Sequence, residues 1–253
     1  MSKAIIAVAG KGGVGKTSIA AAIVAQLVRD YPEARILAID ADPAVGLETS
    51  LGVKTRYTVD DIRKEIAKAG ERDKEKHRAI ELLGESRFRL LDAMVETEGF
   101  AFLAIGRPEA AGCYCSVNTY LREVISAWAG EFDYVVIDGE AGVEQINRRV
   151  MEKVSHLLLV SDPSRKGTQV IRTVLQVADE LTMYQHCGAI INRMNDPSLE
   201  QFLKLEDIPL LSYIRDDPEL ALADVQGRSV LDLPADGILA TGVRRALSAI
   251  GIT

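Results

Sequence analysis

Apolar runs of strand length recur along the chain, separated by longer stretches of helical character. The runs occupy residues 4–9, 35–40, 101–105, 134–138, 157–160, 188–192 and 209–214. Their interiors are uniformly apolar instead of alternating, the pattern of strands covered on both faces. Residues 17–29, 120–129 and 168–181 read as helices between them. This strand–helix–strand rhythm predicts an α/β fold: one doubly wound, mostly parallel sheet with helices on both faces and ligands at the carboxyl ends of the strands. Residues 58–85 break the rhythm with D-D-I-R-K-E-I-A-K and E-R-D-K-E-K-H-R. They predict a charged helical insertion, either a partner-docking lobe or a solvated amphipathic excursion. Residues 1–253 are expected to form one domain carrying that insertion.

Composition narrows the classes. Hydrophobic residues make up 47% of the chain and the net charge is −7. No basic domain or tail stands out, which argues against a dedicated nucleic-acid binder. No apolar run approaches the ~18–20 residues a spanning helix needs, and none reads as a signal peptide. A soluble cytoplasmic protein without membrane partners is expected. Three cysteines, an odd number, do not suggest a disulfide framework.

The chemistry concentrates at the end of the first apolar run. Residues 10–18 read G-K-G-G-V-G-K-T-S between a strand and a helix, the context a phosphate-binding loop requires. Gly10, Gly12, Gly13 and Gly15 let backbone N–H groups approach phosphate oxygens, with Val14 between them and Ser18 at the helix start. The helix N-terminus adds its positive dipole end. Lys16 would reach the β/γ-phosphates and Thr17 would offer its hydroxyl to Mg²⁺. A glycine-rich turn with no ligand is the bland alternative.

Lys11, a second lysine just after the first glycine, makes the loop resemble the deviant Walker A loop of the MinD/ParA/nitrogenase-iron-protein superfamily. The resemblance implies an ATPase that dimerises around ATP, Lys11 crossing the interface to the partner's nucleotide. Asp40-Ala41-Asp42-Pro43 resembles the family's switch I, which implies that Asp42 orients the attacking water and Asp40 lies near the Mg²⁺ shell. A turn or helix-cap role is the other reading, for Asp40 in particular. Asp138-Gly139-Glu140-Ala141-Gly142 resembles switch II, with Asp138 holding Mg²⁺ through water and Gly142 sensing the γ-phosphate. By the same resemblance Asn192 contacts the adenine edge, and Arg215 and Asp216 flank it.

Gly112-Cys113-Tyr114-Cys115 separates branches of this superfamily. Two thiolates at i and i+2 can chelate one soft metal ion, but a zinc or nickel site usually wants four donors. A two-fold dimer would supply the second pair, giving a four-thiolate site for Ni²⁺ or Zn²⁺ shared between subunits, or for an iron–sulfur cluster. Cys113 and Cys115 could also be ordinary small side chains. With the preceding Ile105-Gly106-Arg107-Pro108-Glu109, the segment is similar to one carrying the cluster ligand of the nitrogenase iron protein, and C-x-C here resembles the CooC-type accessory ATPases of carbon monoxide dehydrogenase. That resemblance implies a metallochaperone delivering nickel to a client metalloenzyme, carbon monoxide dehydrogenase or acetyl-CoA synthase. An iron–sulfur reductase and a positioning or partitioning switch are the rivals. Against the reductase, Gly46 stands where the iron protein has an aspartate, and residues 142–149 contain no cysteine. Against the positioning switch, residues 237–251 carry only Arg244 and Arg245. His77, His156 and His186 are scattered, Cys187 reads as a buried strand thiol, and Trp128 as core.

Overall fold

A computed structural model of the protein describes residues 4–42, 44–62, 64–65, 91–106, 130–141, 154–181, 184–203, 205 and 208–252. Strands β1 (Ala4–Gly10), β2 (Ile36–Asp40), β3 (Val95–Glu96), β4 (Ala101–Ala104), β5 (Tyr134–Ala141), β6 (His156–Ser161), β7 (His186–Asn192) and β8 (Leu210–Ile214) form one sheet. Its order is β3-β4-β2-β5-β1-β6-β7-β8. Every pairing is parallel except β3 with β4. Helices α1 (Lys16–Asp30), α2 (Gly46–Leu51), α3 (Arg165–Leu181), α4 (Pro218–Gln226) and α5 (Ile238–Ala249) accompany it.

The uniformly apolar strands serve two cores. In β1, Ile6 and Val8 join the cluster beneath α1 and α5, while Ala7 and Ala9 join the cluster that Ile171 and Val174 of α3 help to fill. In β2, Ile36 and Ala38 face the first core, Leu37 and Ile39 the second. Helix α1 is apolar over most of its circumference, Ile19 to Leu27 being buried, because it packs on the sheet with α2 and α5 around it.

The structure moves several expected boundaries. β5 runs on to Ala141 instead of ending at Asp138, so the segment expected as a switch loop begins as strand. α3 starts at Arg165, earlier than the apolar pattern begins. Helix α2 follows Val45, whose left-handed backbone (φ 50°) turns the chain after the second strand. Residues 59–62 and 64–65 open the charged insertion as helix. Thr58 and Asp61 form a capping box there: the Thr58 hydroxyl accepts the Asp61 N–H (3.2 Å) and the Asp61 carboxylate accepts the Thr58 N–H (2.9 Å). The remainder of the insertion and the 120–129 helix lie outside the described residues.

Candidate nucleotide site

β1 ends between β5 and β6, so the loop after it opens at the middle of the sheet's carboxyl edge. Gly10 is required by that packing. Its φ is 147°, and a Cβ there would stand 2.0 Å from the Val160 carbonyl oxygen on β6. Gly13 and Gly15 also hold left-handed φ values of 75° and 91°. Gly15 sits at the N-cap of α1 with no side-chain cap, and the first turn carries no acid. By contrast, Asp217 caps α4 through the N–H groups of Glu219 and Leu220. The N-terminus of α1 therefore presents its dipole at the carboxyl edge with no side-chain cap among the described residues, the arrangement an anionic ligand completes.

The lysines of the loop are held differently. Lys16 is buried, and its ammonium donates to the Lys11 carbonyl at 3.3 Å. Lys11 turns back onto its own chain and pairs with Asp162 at 2.9 Å. Asp162 follows β6, and its other oxygen accepts from the Ser164 N–H (3.2 Å) and the Ser164 hydroxyl. Burial works against its ionisation, but those bonds and the Lys11 ammonium outweigh it and hold the carboxyl below its ordinary range. Gly167 makes room for this turn: a Cβ there would stand 2.3 Å from the Asp162 carboxylate.

Parallel register brings the acids together. Asp40 on β2 pairs with Asp138 on β5, and Asp138 is also opposite Val8 on β1. Asp40 accepts the N–H of Asp42 (3.0 Å) and of Leu47 (2.8 Å), so it ties the turn after β2 to the first turn of α2. Asp42 is half-buried and accepts the Ala44 N–H at 2.9 Å. Asp138 is fully buried, and neither of its oxygens accepts a well-formed hydrogen bond among the described residues. Burial pushes its carboxyl up to about 7; the Asp40 and Asp42 charges add to the rise, and the Thr17 hydroxyl and Lys16 ammonium oppose it. Burial likewise lifts Asp40 to about 6, against the N–H groups of Leu47 and Asp42.

A buried carboxylate that accepts no well-formed hydrogen bond among the described residues, beside the Thr17 hydroxyl and a phosphate loop, fits a hard divalent cation. Thr17, Asp40 and Asp138 are the side chains that could hold it, directly or through water. Gly46 packs beside Thr17, its missing Cβ 3.5 Å from Thr17 Cγ2 and 3.8 Å from Oγ1. Among the described residues no group of three or more His, Cys, Asp or Glu forms a metal site by itself.

Asn192 ends β7 and is buried against the phosphate loop, its amide donating to the Val14 carbonyl at 2.8 Å. Asp216 accepts from the Asn195 side-chain amide at 2.6 Å and donates its own N–H to Asn195 Oδ1 at 3.0 Å. Arg215 is exposed beside it. Asp162 and Asn195 were not among the residues expected at the site. Asp162-Pro163 after a strand repeats the Asp42-Pro43 pattern and could have drawn notice; the Asn195 pairing has no local signal. Gly142, Cys113, Cys115, His77 and Trp128 lie outside the described residues. His156 and His186, far apart in sequence, stack with ring centroids 4.8 Å apart. Cys187, the second residue of β7, is half-buried and not fully enclosed as expected; burial, helped by the Asp179 charge, pushes its thiol up to about 12. No helix among the described residues is long and apolar enough to cross a membrane.

Known proteins resemble this chain in sequence and fold. An ATP-binding protein of Methanocaldococcus jannaschii is 35% identical over 91% of each chain. The carbon monoxide dehydrogenase accessory protein CooC of Rhodospirillum rubrum is 30% identical over 90% of this chain and 89% of its own. Among solved structures, a ParA family ATPase from Chlorobium tepidum superposes with a TM-score of 0.71 at 20% identity, over 100% of this chain and 99% of the other, which speaks to the fold. Residues 5–230 match the CobQ/CobB/MinD/ParA nucleotide binding domain. The chain belongs to that family and is one of its P-loop ATPases.

Proposed function

We propose that this ATPase is a metallochaperone: it closes into a homodimer around ATP and delivers nickel to a client enzyme of the carbon monoxide dehydrogenase or acetyl-CoA synthase type. The observation that carries the proposal is the coexistence of the nucleotide site with Cys113-Tyr114-Cys115 in one chain. The similarity to CooC supports it.

Phosphates would bind to the loop amides and the α1 N-terminus, with Lys16 leaving the Lys11 carbonyl for the β/γ-phosphates. Bound Mg²⁺ would supply charge neutralisation across the phosphate oxygens, held by Thr17, Asp40 and Asp138. Lys11 would exchange Asp162 for the partner's nucleotide. Asp42 would orient a water for attack on the γ-phosphorus, and Lys11 and Lys16 would stabilise the charge that develops as phosphate departs from ADP. Gly142 and the rest of switch II would then relax and alter the paired Cys113 and Cys115 loops, releasing the cargo metal ion, Ni²⁺ or Zn²⁺. Asn192, Arg215 and Asp216 would border the adenine. The whole of residues 1–253 would act as one domain, working in the cytoplasm and without nucleic acid or membrane.

Anaerobic metal titration tests this reading. In the presence of Mg²⁺ and ATP, the wild-type protein should bind about one Ni²⁺ or Zn²⁺ per two chains, the stoichiometry of a site shared across a two-fold axis. Cys113→Ala and Cys115→Ala should abolish that binding; unchanged stoichiometry in either variant would refute the metal role.

A further inference from the structure

We infer that Asn192 is a positioning residue for the phosphate loop, so that it governs triphosphate binding independently of any contact with the base. The inference rests on nucleotide binding in this loop. A loop that turns its N–H groups toward phosphate turns carbonyls away from it, and a buried carbonyl needs a donor. Val14 is 1% exposed, and its carbonyl receives the Asn192 amide at 2.8 Å. Asn192 is itself 9% exposed, so little solvent reaches the pair to replace the bond.

The donor is held from the other side. Asn192 Oδ1 accepts the Arg193 N–H at 3.0 Å, and Arg193 adopts a left-handed backbone with φ 58°. Parallel pairing to β6 and β8 fixes the strand that presents it, Asn192 lying opposite Ile214. The loop is shaped to receive the amide: a Cβ on Gly15 would stand 2.6 Å from Asn192 Nδ2. Gly15 is thus needed twice, for its left-handed φ of 91° and for the space Asn192 occupies. One amide hydrogen goes to Val14 and the second remains for a ligand.

The test separates the phosphate chain from the base. Displacement of a fluorescent ATP analogue, in the presence of Mg²⁺, would give affinities for ATP and for inorganic tripolyphosphate. Asn192→Ala, and the near-isosteric Asn192→Leu should Ala destabilise the strand, should weaken both ligands by about tenfold, the scale of one buried hydrogen bond. Amide hydrogen exchange in the nucleotide-free protein should quicken at residues 13–16 and stay unchanged in β1 and β7. A variant that loses ATP affinity but binds tripolyphosphate as the wild type does would reduce Asn192 to a base contact and overturn the inference. Failure of the wild-type protein to bind either ligand would instead defeat the reading of the loop.

Discussion

At the scale of single residues, burial sets the titration behaviour. Asp138 titrates near 3.8 in an unfolded chain and is lifted to about 7 when folded. The folded protein therefore binds the extra proton between those values, and nucleotide-free stability should fall as pH rises from about 4 to about 7. Asp40, lifted to about 6, acts in the same direction. Asp138→Asn should flatten that slope and raise the melting temperature of the nucleotide-free protein near neutral pH. It should also lower Mg²⁺-dependent hydrolysis by about 10²-fold or more. Thermal unfolding across pH, paired with phosphate release, checks both halves. His156 has the opposite sign. Burial, then the neighbouring His186, depress it from 6.5 to about 4, so its contribution is complete above 6.5 and is lost as pH falls toward 4. His156→Asn should lose less stability than wild type between pH 6.5 and 4 in urea titrations.

At the scale of elements, the phosphate loop is tied to the strands on either side. Gly10 meets Val160 of β6, Val14 meets Asn192 of β7, and Lys11 meets Asp162 after β6. Gly10→Ala would drive a methyl into a backbone carbonyl 2.0 Å away in a region of φ that suits glycine. It should sharply lower both the melting temperature and ATP affinity. The Lys11–Asp162 pair is partly exposed, 29% and 25%, so its release costs little. Asp162→Asn should free Lys11 and lower the ATP concentration for half-maximal dimerisation by about two- to fivefold per protomer. Light scattering during ATP titration would measure the shift.

Legibility in the sequence followed the range of the interactions. The apolar runs announced the parallel sheet because both of its faces are covered, and G-K-G-G-V-G-K-T-S announced its loop because strand, loop and helix are contiguous. Helix α2 escaped notice: it is only six residues long and its start depends on Val45 turning left-handed. Glycine at position 10 was legible as a phosphate-loop residue, but its need to clear Val160 depends on β6, 150 residues away in sequence. Asp162 and the Val14 carbonyl were hidden for the same reason, since their partners lie 151 and 178 residues away.

At the scale of the whole molecule, the nucleotide site opens at the carboxyl edge of the sheet with an unused helix dipole and a parked Lys11. It is built to be completed by ligand, and in our account by a second copy of the chain. The central claim is that ATP closure and metal capture are one event. Native mass spectrometry of the anaerobic protein with Ni²⁺, with and without Mg²⁺ and ATP, tests it most directly. ATP should produce a dimer carrying two nucleotides and one metal ion, and Lys11→Ala should reduce the dimer population. A protein that stays monomeric with ATP, or an ATP-bound dimer that holds no metal, would contradict it.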